Sequence, residues 1–253
     1  MDESHPHQPP SEGAPPTPPG PPTNQAQPGS SVDFGRSLSF FFQDPDWIRK
    51  ILLGSLFSLL SIFLVGAFFV AGYMVRLIRR SARGETYPLP EWDDLGGIFV
   101  DGAMVIGAYL VYVLPVMFLY IIGALGLGIG LGGDEPSIAV SVVMAVLVLF
   151  FGLLMLCVVF YFPAALIRLA LKGNFGAAFE FGPTWEFIQR NIGNYLLAFL
   201  IVFVANLISQ FGILLFCIGI IPASFWGTSV SAHALGEVAL RDRSGQLPTV
   251  PAP

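Results

Sequence analysis

Few side chains in this sequence could carry chemistry. His233 stands near the end of the last apolar run, beside Ser229 and Ser231. A Ser–His pair can activate a hydroxyl as a nucleophile, and the plainer reading of a lone histidine there is a hydrogen-bonded structural residue. Asn206 and Gln210 lie four apart, on one face of a helix. They either line a polar path or hydrogen-bond between helices. The chain has no H-E-x-x-H, no G-x-S-x-G and no phosphate loop. Its longest apolar runs contain no Asp, Glu, Lys or Arg, whereas pumps and ion-coupled carriers keep an ionisable group near mid-membrane. The expectation is a protein that is not an enzyme and has no cofactor and no metal. His5 and His7 do not change that, being two histidines on a proline-rich tail.

The richest polar stretch runs from Arg76 to Asp101, and its plan is repeated. It opens with Arg76, Arg79, Arg80 and Arg83, and continues through Pro90-Glu91-Trp92 to Asp93, Asp94 and Asp101. Arg168 to Asn194 follows the same order: Arg168 after an apolar run, then Pro183-Thr184-Trp185, then Asn194. Asp101 and Asn194 each stand nine residues after the Trp. A third Pro-x-Trp, Pro45-Asp46-Trp47, precedes the first apolar run. Proline suits the first turn of a helix. Indole prefers the headgroup layer of a bilayer, and arginines there pair with lipid phosphates. Trp47, Arg76, Arg79, Arg80, Trp92, Arg168 and Trp185 are therefore expected as interfacial anchors. Asp93, Asp94 and Asp101 are the alternative partners of those arginines.

These stretches punctuate a very apolar chain. Of 253 residues, 54% are hydrophobic and 11% charged, where globular chains carry about 25% charge. Ile51–Val75, Gly102–Gly133, Ser137–Ile167 and Asn191–Gly236 have no charged residue. A bilayer core about 30 Å thick needs about 20 residues of helix. The sequence thus predicts an all-α, polytopic membrane bundle. Gly102–Leu125 and Ile138–Phe162 each cross once, joined by the glycine-rich turn before Asp134-Glu135-Pro136. The Gly126-x-x-x-Gly130 and Gly128-x-x-x-Gly132 spacings serve either that turn or close helix packing. Asn191–Gly236 is too long for one crossing and must bend, near Gln210–Gly212 or Gly219–Pro222. The total is four full spans. Ile51–Val75 is either a fifth span or a re-entrant hairpin turning around Ser58–Ser61 or Gly66.

Lys and Arg orient such a protein. Arg76–Arg83, Arg168, Lys172 and Arg190, and Arg241 with Arg243, mark the cytoplasmic side; the turn at 126–137 has no basic residue. A re-entrant first segment would put all twelve basic residues on that side. It is the expected arrangement, with both termini cytoplasmic.

Residues 1–32 hold ten prolines and no Lys or Arg, a composition expected to be disordered. It is not that of a signal peptide. Its Pro-x-x-Pro spacings offer a docking motif for a protein partner, or arise from composition alone. Residues 33–50 are expected as an amphipathic segment, either lying on the membrane or packed on the bundle, residues 51–240 as the transmembrane domain, and 241–253 as a short tail. Cys157 and Cys217 lie in apolar runs and read as small buried hydrophobes. No basic footprint for nucleic acid is present.

Asp44-Pro45-x-Trp47, Gly72-Tyr73-x-x-Arg76, Leu89-Pro90-Glu91-Trp92-Asp93-Asp94, Asp101-Gly102, Tyr112-x-x-Pro115, Asn194-Tyr195 and Ser231-Ala232-His233 together resemble a bacterial and archaeal membrane family, domain of unknown function 4013. The resemblance covers about residues 40–240. It implies a multi-pass protein of the cytoplasmic (inner) membrane with no assigned activity, and brings no catalytic residues. The expected role is a non-enzymatic membrane scaffold or accessory subunit, meeting lipids or a protein partner through its cytoplasmic loops or proline-rich tail. The alternative is an oligomeric small-solute channel or transporter using Asn206 and Gln210.

Overall fold

The computed structural model describes residues 30–130, 138–214 and 219–242. The expected disordered tail, apart from residues 30–32, lies outside them, as does the turn at 131–137. All regular structure among the described residues is helical. Helix α1, Phe34–Ser39, runs into a 3₁₀ turn at Phe40–Gln43. Then come α2, Trp47–Leu60, and α3, Val65–Ala82, followed by α4, Leu95–Gly130, and α5, Ile138–Lys172. The short α6, Phe181–Arg190, leads to α7, Ile192–Gln210, and α8, Ile220–Leu240.

The helices form three antiparallel hairpins: α2–α3, α4–α5 and α7–α8. In the first, Phe57 stacks on Phe69 at 4.6 Å. In the second, Tyr109 meets Phe162 near one end and Tyr120 meets Phe151 further along. In the third, Ser209 Oγ donates to the Ala223 carbonyl across the pair at 2.7 Å. The first apolar segment is therefore broken. A 3₁₀ turn at Ser61–Phe63 ends α2, and Leu64 takes a left-handed φ of 64° that reverses the chain. That backbone is strained for leucine, and the close hairpin holds it. The bend of the last apolar run also falls where its length requires, between α7 and α8.

Three helices are long and apolar enough to cross a membrane: α4 over Leu95–Leu125, α5 and α7. Of the four or five crossings expected from run length, three are supported by helix length and composition among the described residues. The α2–α3 hairpin is a pair of shorter helices. Helix boundaries also extend past the apolar runs. Asp94 caps α4 by accepting from Gly97 N at 2.9 Å, so the helix starts at Leu95, before Asp101. α3 and α5 carry their arginines inside the helix and stop at Gly84 and Gly173, whose φ of 69° and 66° suit a helix C-terminus.

Helix α3 is the centre of the bundle, packed by α4, α8, α2 and α5. Glycine lets two backbones meet there. A Cβ on Gly72 would stand 1.8 Å from the Ile98 carbonyl, and one on Gly102 1.7 Å from the Phe68 carbonyl. The α3–α4 crossing is thus a small-residue contact of the kind that joins apolar helices closely. In α5, Pro163 lacks an N–H for the helix ladder. Tyr195 of α7 inserts in that turn, its hydroxyl donating to the Phe160 carbonyl at 2.6 Å and accepting from Ala164 N at 3.1 Å.

Candidate functional site

All three hairpins open at one end, where the ionisable residues gather. Arg79 on α3 ties three helices together. Its Nη atoms each lie 3.0 Å from a different Asp101 oxygen on α4, and its Nε donates to the Ala170 carbonyl of α5 at 2.5 Å. Two parallel bonds from one guanidinium to one carboxylate are both strong and direction-specific. Arg76 adds a 3.4 Å contact to Asp101 and a 2.6 Å bond to Asp94. Arg80 and Arg83 share Glu85, and Arg80 also donates to the Leu89 carbonyl at 2.7 Å. Gly97 N–H and then Arg76 hold the Asp94 carboxyl below its ordinary value of 3.8. Asp94 and Asp101 are thus partners of the arginines within the protein, while Asp93 is exposed and accepts from Asp94 N.

Lys50 joins two of the Pro-x-Trp elements. It is buried, with Nζ 2.8 Å from Asp44 and 2.7 Å from Glu91. Asp44 precedes Pro45-Asp46-Trp47, and Glu91 is the middle residue of Pro90-Glu91-Trp92. Trp92, expected as an interfacial anchor, is inside the bundle. Its ring stacks on Tyr73 at 4.5 Å and on Phe57 at 4.8 Å. Trp47 is half-buried against Phe42. Trp185 is the exposed indole, at 50%, on an α6 that buries Thr184, Phe187 and Ile188 and also exposes Phe181.

The second repeat has its own clamp. Glu180 takes both Lys172, at 2.6 Å, and Arg168. Lys172 first, then Arg168, holds the Glu180 carboxyl below its ordinary value of 4.5. Asn194, the counterpart of Asp101, meets the N-terminal segment instead. Its Oδ1 accepts from Val32 N at 3.2 Å and its Nδ2 donates to the Ser30 carbonyl at 3.0 Å. The chain beyond then lies on the bundle, with Phe40 and Phe41 buried and Phe42 exposed. For residues 33–50, packing on the bundle accounts for Phe40 and Phe41.

His233 meets a serine, though neither sequence neighbour. Ser229 and Ser231 each bond back to their own helix. Ser81 of α3 lies 2.8 Å from His233 Nδ1, and Phe40 stacks on the other side at 4.0 Å. Both Ser81 and His233 are buried, and the pair joins α3 to α8. Glu237 and Arg241 form a neighbouring ion pair on α8. Asn206 and Gln210 sit on the outer face of α7, and Asn206 donates to its own helix, to the Val202 carbonyl. They do not line an interior path. No group of three or more His, Cys, Asp or Glu suited to a metal occurs among the described residues.

A cavity of about 610 Å³ opens at this end. α3 supplies it with Arg76, Arg79 and Arg80, and the residue just past its end with Arg83. The connecting stretch and α4 supply Glu91, Asp93, Asp94 and Asp101.

Sequence reading missed Ser81, Lys50, Glu85 and Glu180 as partners. Ser81–His233 and Lys50–Glu91 join distant parts of the chain, and Glu85 and Glu180 pair across helix ends at spacings no helical periodicity marks. The motif residues Gly72, Tyr73, Arg76, Asp101 and Gly102 do converge, on the α3–α4 crossing and its clamp. A family model described as a protein of unknown function (DUF4013) matches residues 56–219. No curated protein and no solved structure matches the chain.

Proposed function

The chain belongs to the DUF4013 family, and on that footing we propose that it is a multi-pass membrane protein with a non-enzymatic role, a scaffold or accessory subunit of a bacterial or archaeal cytoplasmic membrane. The observation that carries the reading is the separation of its surfaces. Ion pairs crowd one end, while side chains such as Leu114, Phe118, Leu149, Leu153 and Phe203 face outward along α4, α5 and α7. Outward apolar side chains on long helices fit lipid tails, and the closed ion pairs fix the helices that present them.

In this reading the α2–α3 hairpin is re-entrant. From Ile51 to Leu60 is about 15 Å of helix, half of a core about 30 Å thick. Its tip, Ile62, Phe63, Leu64 and Val65, is exposed and apolar, as suits the bilayer midplane. α4, α5 and the α7–α8 pair make four crossings, and both termini lie on the cytoplasmic side with the arginines. α6 lies in the interface with Trp185 and Phe181 toward the headgroups.

Two experiments test this. A single cysteine at Ser4, with Cys157 and Cys217 replaced, should be protected from an impermeant maleimide in intact cells and labelled after lysis. Labelling in intact cells would make Ile51–Val75 a full crossing. Vesicles containing the purified chain should pass ions and small solutes no faster than empty ones. Flux that falls in Asn206→Ala and Gln210→Ala would overturn the scaffold in favour of a conduit built between copies through the outer face of α7.

A further inference from the structure

The cavity at the polar end has a charge pattern that the helix clamps do not use up. Arg76 commits Nε and Nη2 to Asp101 and Asp94. Arg80 commits Nε and Nη1 to Glu85 and the Leu89 carbonyl. Among the described residues this leaves Nη1 of Arg76 and Nη2 of Arg80 for a ligand. Asp93 has one oxygen engaged, by Asp94 N, and its side chain is exposed.

The lining carries as many carboxylates as guanidiniums. A simple anion or a simple cation would gain on one part and lose on the other. A ligand with both charges matches both. Guanidinium forks suit a phosphate, and Asp93 suits an ammonium with N–H donors. A quaternary ammonium would instead want aromatic faces, and no aromatic residue is among those lining the cavity. Its volume falls within the range of about 300–1,000 Å³ typical of small-ligand sites. Its level is also informative. Arg76 directly follows the charge-free run Ile51–Val75, and Asp101 directly precedes Gly102–Gly133. The cavity therefore sits where charged end gives way to apolar helix, the depth of a lipid headgroup.

We propose that this cavity binds a phosphoethanolamine group, its phosphate toward the α3 arginines and its ammonium toward Asp93. The inference rests on the membrane-embedded reading for the lipid as its source; free phosphoethanolamine shares the chemistry.

The test uses the full chain in detergent. Native mass spectrometry with added phosphatidylethanolamine, phosphatidylcholine and phosphatidylglycerol measures which lipid is retained. Calorimetry with O-phosphoethanolamine measures the soluble source. The ethanolamine lipid should be retained about tenfold over the other two. Asp93→Asn should remove that preference and leave phosphatidylglycerol retention unchanged, while Arg80→Gln, which removes the uncommitted Nη2, lowers all three. Asp93 is exposed and Arg80 about a third exposed, and an unchanged melting temperature of each variant in detergent shows that the fold stands. Binding of O-phosphoethanolamine as tight as the lipid's would identify the soluble source and support the same site. Equal retention of phosphatidylglycerol, or an ethanolamine preference that survives Asp93→Asn, would overturn it. A chain that passes the maleimide sidedness test but binds neither ethanolamine compound fails this inference alone.

Discussion

Trp92 and Trp185 hold the same place in two copies of one sequence plan, yet Trp92 is 8% exposed and Trp185 50%. The residues nine positions on diverge as well. Asp101 grips Arg79 with both oxygens, while Asn194 grips backbone at Ser30 and Val32. One position explains much of this. Counting back from Trp92 and Trp185, the place of Arg79 is taken by Lys172, which pairs with Glu180. With no guanidinium opposite, an amide replaces the carboxylate and turns to another part of the chain. The first copy therefore locks helices together. The second leaves a surface helix and holds the N-terminal segment.

The sharpest way to break this contrast is Asp101→Asn, which gives the first copy the residue of the second. Arg79 would lose its charge partner while four-fifths of its side chain is covered. Removing one partner of a mostly buried pair costs about 3 kcal/mol. The melting temperature in detergent should fall accordingly, and an unchanged melt would mean the clamp is not what joins α3 to α4. A paired comparison of the two indoles comes next. Trp92→Ala should lose about 3 kcal/mol through its stacks on Tyr73 and Phe57, and Trp185→Ala no more than about 0.5 kcal/mol. Equal effects would erase the distinction between packed and surface copies.

A smaller, local effect is expected for Asn194→Ala. Loss of its two backbone bonds should cost about 1–2 kcal/mol, read as faster hydrogen exchange across residues 30–43 with the α3–α4 contact unaffected. The smallest concerns Glu180. Its carboxyl lies lower in the folded chain than in the unfolded one, so its contribution is present above the unfolded value and lost as pH falls through the folded value. With the side chain about a third exposed, the amount is below about 1 kcal/mol. The difference in melting temperature between the natural chain and Glu180→Gln should shrink as the medium is acidified from neutral through the folded value, below the ordinary 4.5; a difference that persists would place its origin elsewhere than in charge.

Run length and charge made the helical class, the two bends and the gathering of basic residues legible. The break in Ile51–Val75 was legible only as one of two options, because 25 apolar residues satisfy a crossing as well as a hairpin. What settles the backbone is the meeting of Gly66 with the Phe57–Ser61 turn, where a Cβ would stand 2.0 Å from the Phe57 carbonyl. The place of Trp92 could not be read, since an indole beside a Pro and two carboxylates suits an interface by composition. Only the approach of Tyr73 and Phe57 takes it inside. Ser81 and His233 are 152 positions apart, so no local pattern announces their contact.

The shared opening of the three hairpins also bears on how such a chain is made. For a bundle embedded as proposed, every Lys and Arg from Arg36 to Arg243 stays on the side of synthesis. The sequence joining the paired helices must then travel, and in Ser61–Leu64, residues 126–137 and residues 211–219 the only ionisable side chains apart from Cys217 are Asp134 and Glu135. Moving a basic side chain through the bilayer centre costs about 2.5–3.5 kcal/mol on insertion scales. Each hairpin can therefore be delivered as a unit without that barrier.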